Sequence, residues 1–192
     1  MILPIMAYGE PVLRKIAKDI DKNYPNLDKL IEDMFETMYA TNGVGLAAPQ
    51  INKSIRLIVL DPTPFAELDG LSDEEKKNMP GKKVLINARM LDEFGDEWAF
   101  TEGCLSIPNI NEDVRRHDTI EIEYYDENFK KHTEEISGIL ARVIQHEYDH
   151  LEGIMFTDHL SPIKKRLLKR KLENISKGKI DVDYRMKFPK KK

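Results

Sequence analysis

The stretch VIQHEYDHLEG, residues 143–153, decides how the rest of the chain is read. Ile139, Leu140, Val143 and Ile144 recur at helical spacing, so the segment rides on a helix with one apolar face. His146 and His150 are four residues apart and lie one turn above each other on that helix. With Glu147 they form the pattern H-E-x-x-H, which points two imidazoles at one metal. The carboxylate beside them can take a proton from water and return it to a leaving group. A catalytic metal of this kind takes three protein ligands and keeps one position open, so a third ligand must come from elsewhere.

Outward from the motif, the chain alternates short strands and helices. Leu27, Leu30, Ile31, Met34, Phe35 and Met38 predict a core helix, with Asn26 to cap it and Gly43 to end it. A shorter helix is expected over Pro11–Ile20. GVGLAAPQ (43–50) reads as a loop pressed close to something, and IRLIVLD after it as a strand. Residues 61–82 read as a polar surface insertion, with Ser72 and Glu75 in capping-box spacing. KVLINARML, EWAFTEG, TIEIEYYD and KKHTEEIS have strand character, the last two joined by a hairpin at Glu127, Asn128 and Phe129. A last helix opens at Pro162. No internal repeat is present, and the pattern is that of an α+β protein.

The composition, 41% hydrophobic and 33% charged over 192 residues, suits one compact domain with a buried core and excludes disorder throughout. MILPIMAYGE has no basic leader, and no apolar run reaches the length needed to span a bilayer. The expected setting is therefore the cytoplasm, with no membrane partner. Cys104 is the single cysteine, so no intramolecular disulfide can form and the thiol is free to ligate, react or be buried. Charge is unevenly spread: residues 164–192 hold 13 of the 30 Lys+Arg and 3 of the 34 Asp+Glu, which leaves +10 there and −14 on the rest. An acidic body with a basic end suggests that the end meets a polyanion such as a ribonucleoprotein surface.

Several side chains compete for the third ligand position. A histidine at the metzincin spacing is ruled out, because Phe156 stands there. Glu173, 23 residues after His150, has the separation of a glutamate ligand on the next helix, but KKRLLKRKLEN around it reads as a solvated basic face. His117 and His159 lack surroundings that would close a site, and His132 sits in a charged strand. Cys104 has the best setting, since TEGCLSIP places it after a glycine at a strand end, and a thiolate suits zinc or ferrous iron.

Taken together, GVGLAAPQ (43–50), EGCLSIP (102–108) and QHEYDHLEG (145–153) resemble, in the same order, the three signatures of the peptide deformylase family. The resemblance spans about residues 1–170 and weakens in the basic end. It implies antiparallel sheets packed around a central helix that carries the motif, followed by a C-terminal helix. It implies a catalytic domain over 1–175 and a flexible basic tail over 176–192. Cys104, His146 and His150 would bind the metal, ferrous iron by preference, with zinc, nickel or cobalt able to replace it. Glu147 would be the general acid–base, and the Gln50 side chain and Leu105 N–H the oxyanion donors, which suits chemistry in which negative charge develops on oxygen. Gly45 would offer backbone to the substrate, and Val44, Ile107 and Ile144 would line its methionine pocket. The implied activity is removal of the formyl group from formylmethionyl nascent peptides. Apart from the resemblance, a monomer is the default expectation, and the basic helix after Pro162 suits docking on the ribosome, where such peptides emerge. Glu102 and Arg142 are read as a supporting pair behind the metal site, and Asp149 as structural, because helix phase turns it away from the two histidines.

Overall fold

A computed structural model describes residues 1–67, 76 and 79–190. The capping pair expected at Ser72 and Glu75 lies outside these residues. Five antiparallel strands form the main sheet: β2 (Gly45–Ala47), β3 (Leu57–Leu60), β4 (Lys83–Cys104), β5 (Ile107–Tyr125) and β6 (Lys131–Ser137), in that spatial order. A two-stranded parallel sheet joins β1 (Ile5–Met6) to β7 (Met186–Lys187). The helices described are α1 (Leu27–Ala40), α2 (Gly138–Leu151) and α3 (Pro162–Ser176). The architecture is the α+β arrangement expected from the sequence.

Leu27, Leu30, Ile31, Met34, Phe35 and Met38 are all buried along α1, as their spacing predicts. Asn26 precedes the helix in the left-handed region (φ 55°) and makes no side-chain cap bond. Gly43 lies past the helix end, where its N–H donates to the Met38 carbonyl at 2.8 Å. Pro11–Ile20, expected as a helix, forms only a 3-10 turn over Pro11–Arg14. Tertiary bonds override the local preference beyond it: Ala17 N–H donates to Leu151 O and Lys18 N–H to Ser54 O, at 2.8 and 3.0 Å. GVGLAAPQ is likewise not a plain loop, since Gly45–Ala47 pairs with β3 and Ala48–Ile51 makes a 3-10 turn.

KVLINARML and EWAFTEG are one continuous strand, β4, whose pairing with β5 is shifted at several points. These bulges add twist and bend, which lets a long ribbon curl over the helix instead of lying flat. At one of them Asn87 (φ 53°) accepts from Ile20 N–H and donates to Ile20 O, at 2.9 and 2.7 Å, so the bulge also fixes the N-terminal segment. The hairpin between β5 and β6 turns at Asp126–Lys130, with Phe129 at φ 57°, where the sequence places it.

Helix α2 packs against β2, β3, β5 and β6, with Ile139, Ala141, Val143, Ile144 and Leu151 buried. It ends in a Schellman turn: Ile154 N–H donates to Asp149 O at 2.9 Å and Gly153 N–H to His150 O at 3.4 Å. Gly153 has φ +71°, and a Cβ there would stand 2.8 Å from the Arg14 carbonyl carbon. Gly153→Ala is therefore expected to destabilise the fold by about 1–3 kcal/mol, because a left-handed alanine must also push backbone aside. Urea unfolding monitored by far-UV circular dichroism checks this, and an unchanged midpoint would contradict it.

In α3, Leu168, Leu172 and Ile175 face the body, while Ile163 and Leu167 are each 74% exposed among the lysines and arginines. The segment after it, expected to be a flexible tail from 176, folds back against the body. Ile5 N–H donates to Arg185 O at 2.9 Å, and Ala7 N–H to Lys187 O at 2.8 Å. Ile180, Met186 and Phe188 pack onto the core cluster that also holds Met6, Ile107 and Phe156.

Candidate metal and active site

Three elements converge on one place: the C-terminal half of α2, the end of β4, and the 43–50 segment. Cys104 Sγ lies 3.4 Å from His150 Nε2, and the donor atoms of Cys104, His146 and His150 all fall within 4.8 Å of one another. The two rings stand nearly perpendicular, with centroids 5.3 Å apart, so they do not stack. Phe156, at the position excluded as a ligand, packs on the His146 ring instead, with centroids 6.1 Å apart.

The donors fit a first-row metal. A thiolate with two imidazoles is a borderline-soft set, suited to zinc or ferrous iron. His146 Nδ1 is taken by Glu102 Oε2 at 2.9 Å, which leaves Nε2 directed into the cluster. A carboxylate behind a histidine is the usual way to fix the tautomer and orientation of a ligand. Burial alone would raise the Cys104 thiol, but the neighbouring His150 and His146 bring it down to about 5, so the sulfur is a thiolate at neutral pH. Glu173 stays away from this cluster; its carboxylate is half exposed and pairs with Lys177 at 3.6 Å. Among the described residues, no fourth side chain joins the three.

Glu102 anchors the supporting layer. It is 5% exposed and accepts from Arg116 Nε at 2.8 Å, Arg116 Nη2 at 3.0 Å, Arg142 Nη1 at 3.1 Å and His146 Nδ1. Burial would raise its pKa, yet the hydrogen bonds from His146 and Arg116 hold the carboxyl well below the usual range. Arg142 is the partner expected from the sequence, and Arg116 is one the sequence reading missed. Asp149 accepts from Arg116 at 2.8 Å and also contacts His159 at 2.7 Å, so it braces the layer and does not touch the ligands.

Glu147 is 5% exposed, and its Oε2 finds no hydrogen-bond partner among the described residues. Burial pushes its carboxyl up, partly offset by the imidazoles beside it. A buried carboxylate left unpaired is costly, and it fits a group kept for chemistry. Gly45 explains how Glu147 reaches its position. A Cβ at Gly45 would stand 2.6 Å from Glu147 Oε1, so only glycine lets β2 pass under the carboxylate. Gln50 is 1% exposed; its Oε1 accepts from Ala47 N–H at 2.9 Å. That bond fixes the amide and turns Nε2 toward Cys104 Sγ and Ser106 Oγ, each at 3.5 Å.

Gly45, Gln50, Cys104, His146 and Glu147 line a cavity of about 700 Å³, while His150 is buried outside its lining. Val44, Leu105 and Ile107 line the cavity as well. Ile144 does not; it is fully buried between helix and sheet, and Val143, one residue earlier, faces the cavity. The sequence reading also missed Phe65 and Phe100, whose rings meet edge to face 6.1 Å apart, and the segment Asp181–Tyr184. For that segment a signal existed: in DVDYRMKF (181–188), Val182, Tyr184, Met186 and Phe188 alternate with polar residues at the period of a strand.

The chain is similar to known proteins along nearly its whole length. The sequence profile described as polypeptide deformylase matches residues 2–166. A peptide deformylase of Christiangramia forsetii is 61% identical over 193 aligned residues, covering 100% of this chain and 98% of its own. One from Flavobacterium psychrophilum is 57% identical, with 100% of both chains covered. Among solved structures, peptide deformylase from Ehrlichia chaffeensis superposes with a TM-score of 0.81 at 31% identity, covering 93% of this chain and 99% of that one. Peptide deformylase from Legionella pneumophila gives 0.76 at 36% identity, covering 93% and 98%. The chain belongs to the polypeptide deformylase family.

Proposed function

We propose that Cys104, His146 and His150 hold a divalent metal, and that Glu147, Gln50 and Leu105 act with it in removing the N-formyl group from the N-terminal formylmethionine of newly synthesised polypeptides, releasing formate. One observation supports the assignment of roles: Cys104 and His146 of the Cys–His–His cluster, the Glu147 carboxylate with its unpaired Oε2, and the Gln50 amide all line a single cavity, with His150 buried within donor distance of the first two. When bound, the metal supplies Lewis acidity and lowers the pKa of a water.

The chain's own groups supply the rest. Glu147 accepts the proton of the attacking water and hands it to the departing amine nitrogen. Gln50 Nε2 and the Leu105 N–H donate to the oxygen on which charge develops, and both are fixed before substrate arrives. Gly45 offers its backbone to the peptide, while Val44 and Ile107 accept the methionine side chain in an apolar part of the cavity. Ferrous iron is the physiological metal in this proposal, as the likeness to the family implies; the thiolate and imidazole donors also suit zinc, nickel or cobalt, which can take its place. The setting is the cytoplasm and the working form a monomer. Among the described residues no helix is long and apolar enough to cross a membrane.

The deciding experiment is formate release from formyl-Met-Ala-Ser by protein purified without oxygen, with and without a chelator. Fast release that chelation abolishes is expected. No release from fully metallated protein would overturn the proposal and return attention to an H-E-x-x-H endopeptidase.

Docking on the ribosome belongs to the same proposal, through the exposed basic face of α3. Replacing Lys165, Arg166, Lys169 and Arg170 by glutamate is expected to abolish co-sedimentation with ribosomes and to leave formate release from the tripeptide unchanged. Co-sedimentation that persists would remove this partner.

A further inference from the structure

The segment after α3 reaches the active cavity, and one of its bonds lands beside a proposed catalytic group. Tyr184 Oη donates to the Leu105 carbonyl at 2.8 Å, and Tyr184 lines the cavity with Asp181, Val182 and Asp183. We propose that Tyr184 is a positioning residue for deformylation: by holding the Leu105 carbonyl it fixes the peptide plane that follows Leu105, which restricts rotation at the Leu105 Cα and so narrows the aim of the N–H in the plane before it. This inference rests on the role given above to the Leu105 N–H.

The local restraints explain why this one bond matters. Leu105 lies in the two-residue turn between β4 and β5, outside the ladder that ends at the Cys104–Ile107 pair. Its neighbours on both sides are tied. Cys104 is a proposed ligand, and Ser106 accepts from Tyr8 N–H through its carbonyl at 2.8 Å. The Leu105 side chain packs near Gly43, where a Cβ would stand 3.1 Å from its Cδ1, but this leaves rotation of the two flanking peptide planes free. The Tyr184 hydroxyl holds the plane after Leu105, and the paired Cys104 borders the plane before it, so the turn is restrained from both sides. Tyr184 is itself well placed to do so. It packs against the same core cluster as Leu105, and the β1–β7 pairing anchors the chain two residues further on. On the other side Asn109 Nδ2 donates to Asp181 O at 3.3 Å. The tail is thus a strap tied at both ends with the phenol between.

Tyr184→Phe keeps the ring and its packing and removes only the hydroxyl. The expected result is a kcat about three- to tenfold lower, the scale of one lost hydrogen bond, with KM within twofold of the parent. A structural role alone could also lower kcat, so a second readout is the ratio of rates for formyl and thioformyl peptides. Sulfur is a poor acceptor, so the parent discriminates against it through its oxyanion donors; a misaimed Leu105 N–H should shrink that ratio. An unchanged kcat overturns the proposal, as does a lowered kcat with an unchanged oxygen-to-sulfur ratio. Formate release by the parent protein separately decides whether the deformylase reading stands, so the two failures cannot be confused.

Discussion

Glu147→Gln is expected to lower kcat for formate release by about two to four powers of ten, the usual contribution of a positioned general acid–base. The metal content of the purified protein should not change. Glutamine has the same shape and can keep the packing over Gly45, where the Glu147 carboxylate lies against backbone. It cannot accept and then return a proton. The substitution also replaces a buried carboxylate whose Oε2 is unpaired, so the fold should be no less stable and could gain stability. Loss of turnover with unchanged or raised stability is the mark of a group maintained for chemistry at the cost of folding energy. Kinetics, metal analysis and urea unfolding on one preparation check all three parts. A kcat within tenfold of the parent would remove Glu147 from its role, and a fall in metal content would make it a ligand or a support for one.

The parts of the site legible in the sequence are those whose geometry is local. His146, Glu147 and His150 share one helix, and four-residue spacing alone places both imidazoles on one side. Cys104 was legible from its setting, after a glycine at a strand end, whereas Gln50 was reached only through the likeness of its glycine-rich segment to a family signature. Ile144, named from the sequence as a pocket residue, does not reach the cavity, and its neighbour on α2 does. One step along a helix turns a side chain by about 100 degrees, enough to exchange Val143, which faces the cavity, for Ile144, which faces the sheet.

What the sequence hid depends on contacts between distant segments. Arg116 reaches Glu102 across the β4–β5 ribbon, at a register set by bulges that local pattern does not reveal. The tail was misread for a different reason. Its charge suggests a solvated end, yet the alternation of Val182, Tyr184, Met186 and Phe188 lets every second side chain turn inward while the lysines and aspartates stay in water. Net charge reports how a segment meets solvent as a whole; periodicity reports which of its faces is buried. Where the two disagree over a short stretch, periodicity is the better guide to packing.

Glu102→Ala is expected to destabilise the protein by about 3–5 kcal/mol, because it strands buried positive charge. Glu102, Arg116 and Arg142 are 5%, 7% and 2% exposed. Arg116 would retain Asp149 at 2.8 Å, so its charge stays compensated. Arg142 would keep only the carbonyls of Val114 and Trp98, at 3.0 and 2.7 Å, and the face of Trp98, with its guanidinium carbon 4.6 Å from the ring centroid. The cost should therefore come mainly from Arg142. That can be tested by the double variant Glu102→Ala/Arg142→Met, which removes the stranded charge with it and should recover a large part of the lost stability. Both variants should still bind metal about 10–100-fold more weakly, since His146 loses the carboxylate that fixes its ring in either case. Urea unfolding measures the first effect and metal titration the second. If the double variant is as unstable as the single one, the penalty lies in the cavity left by the glutamate and not in the unpaired arginine. If metal affinity recovers along with stability, the bond from His146 to Glu102 serves the fold and not the metal.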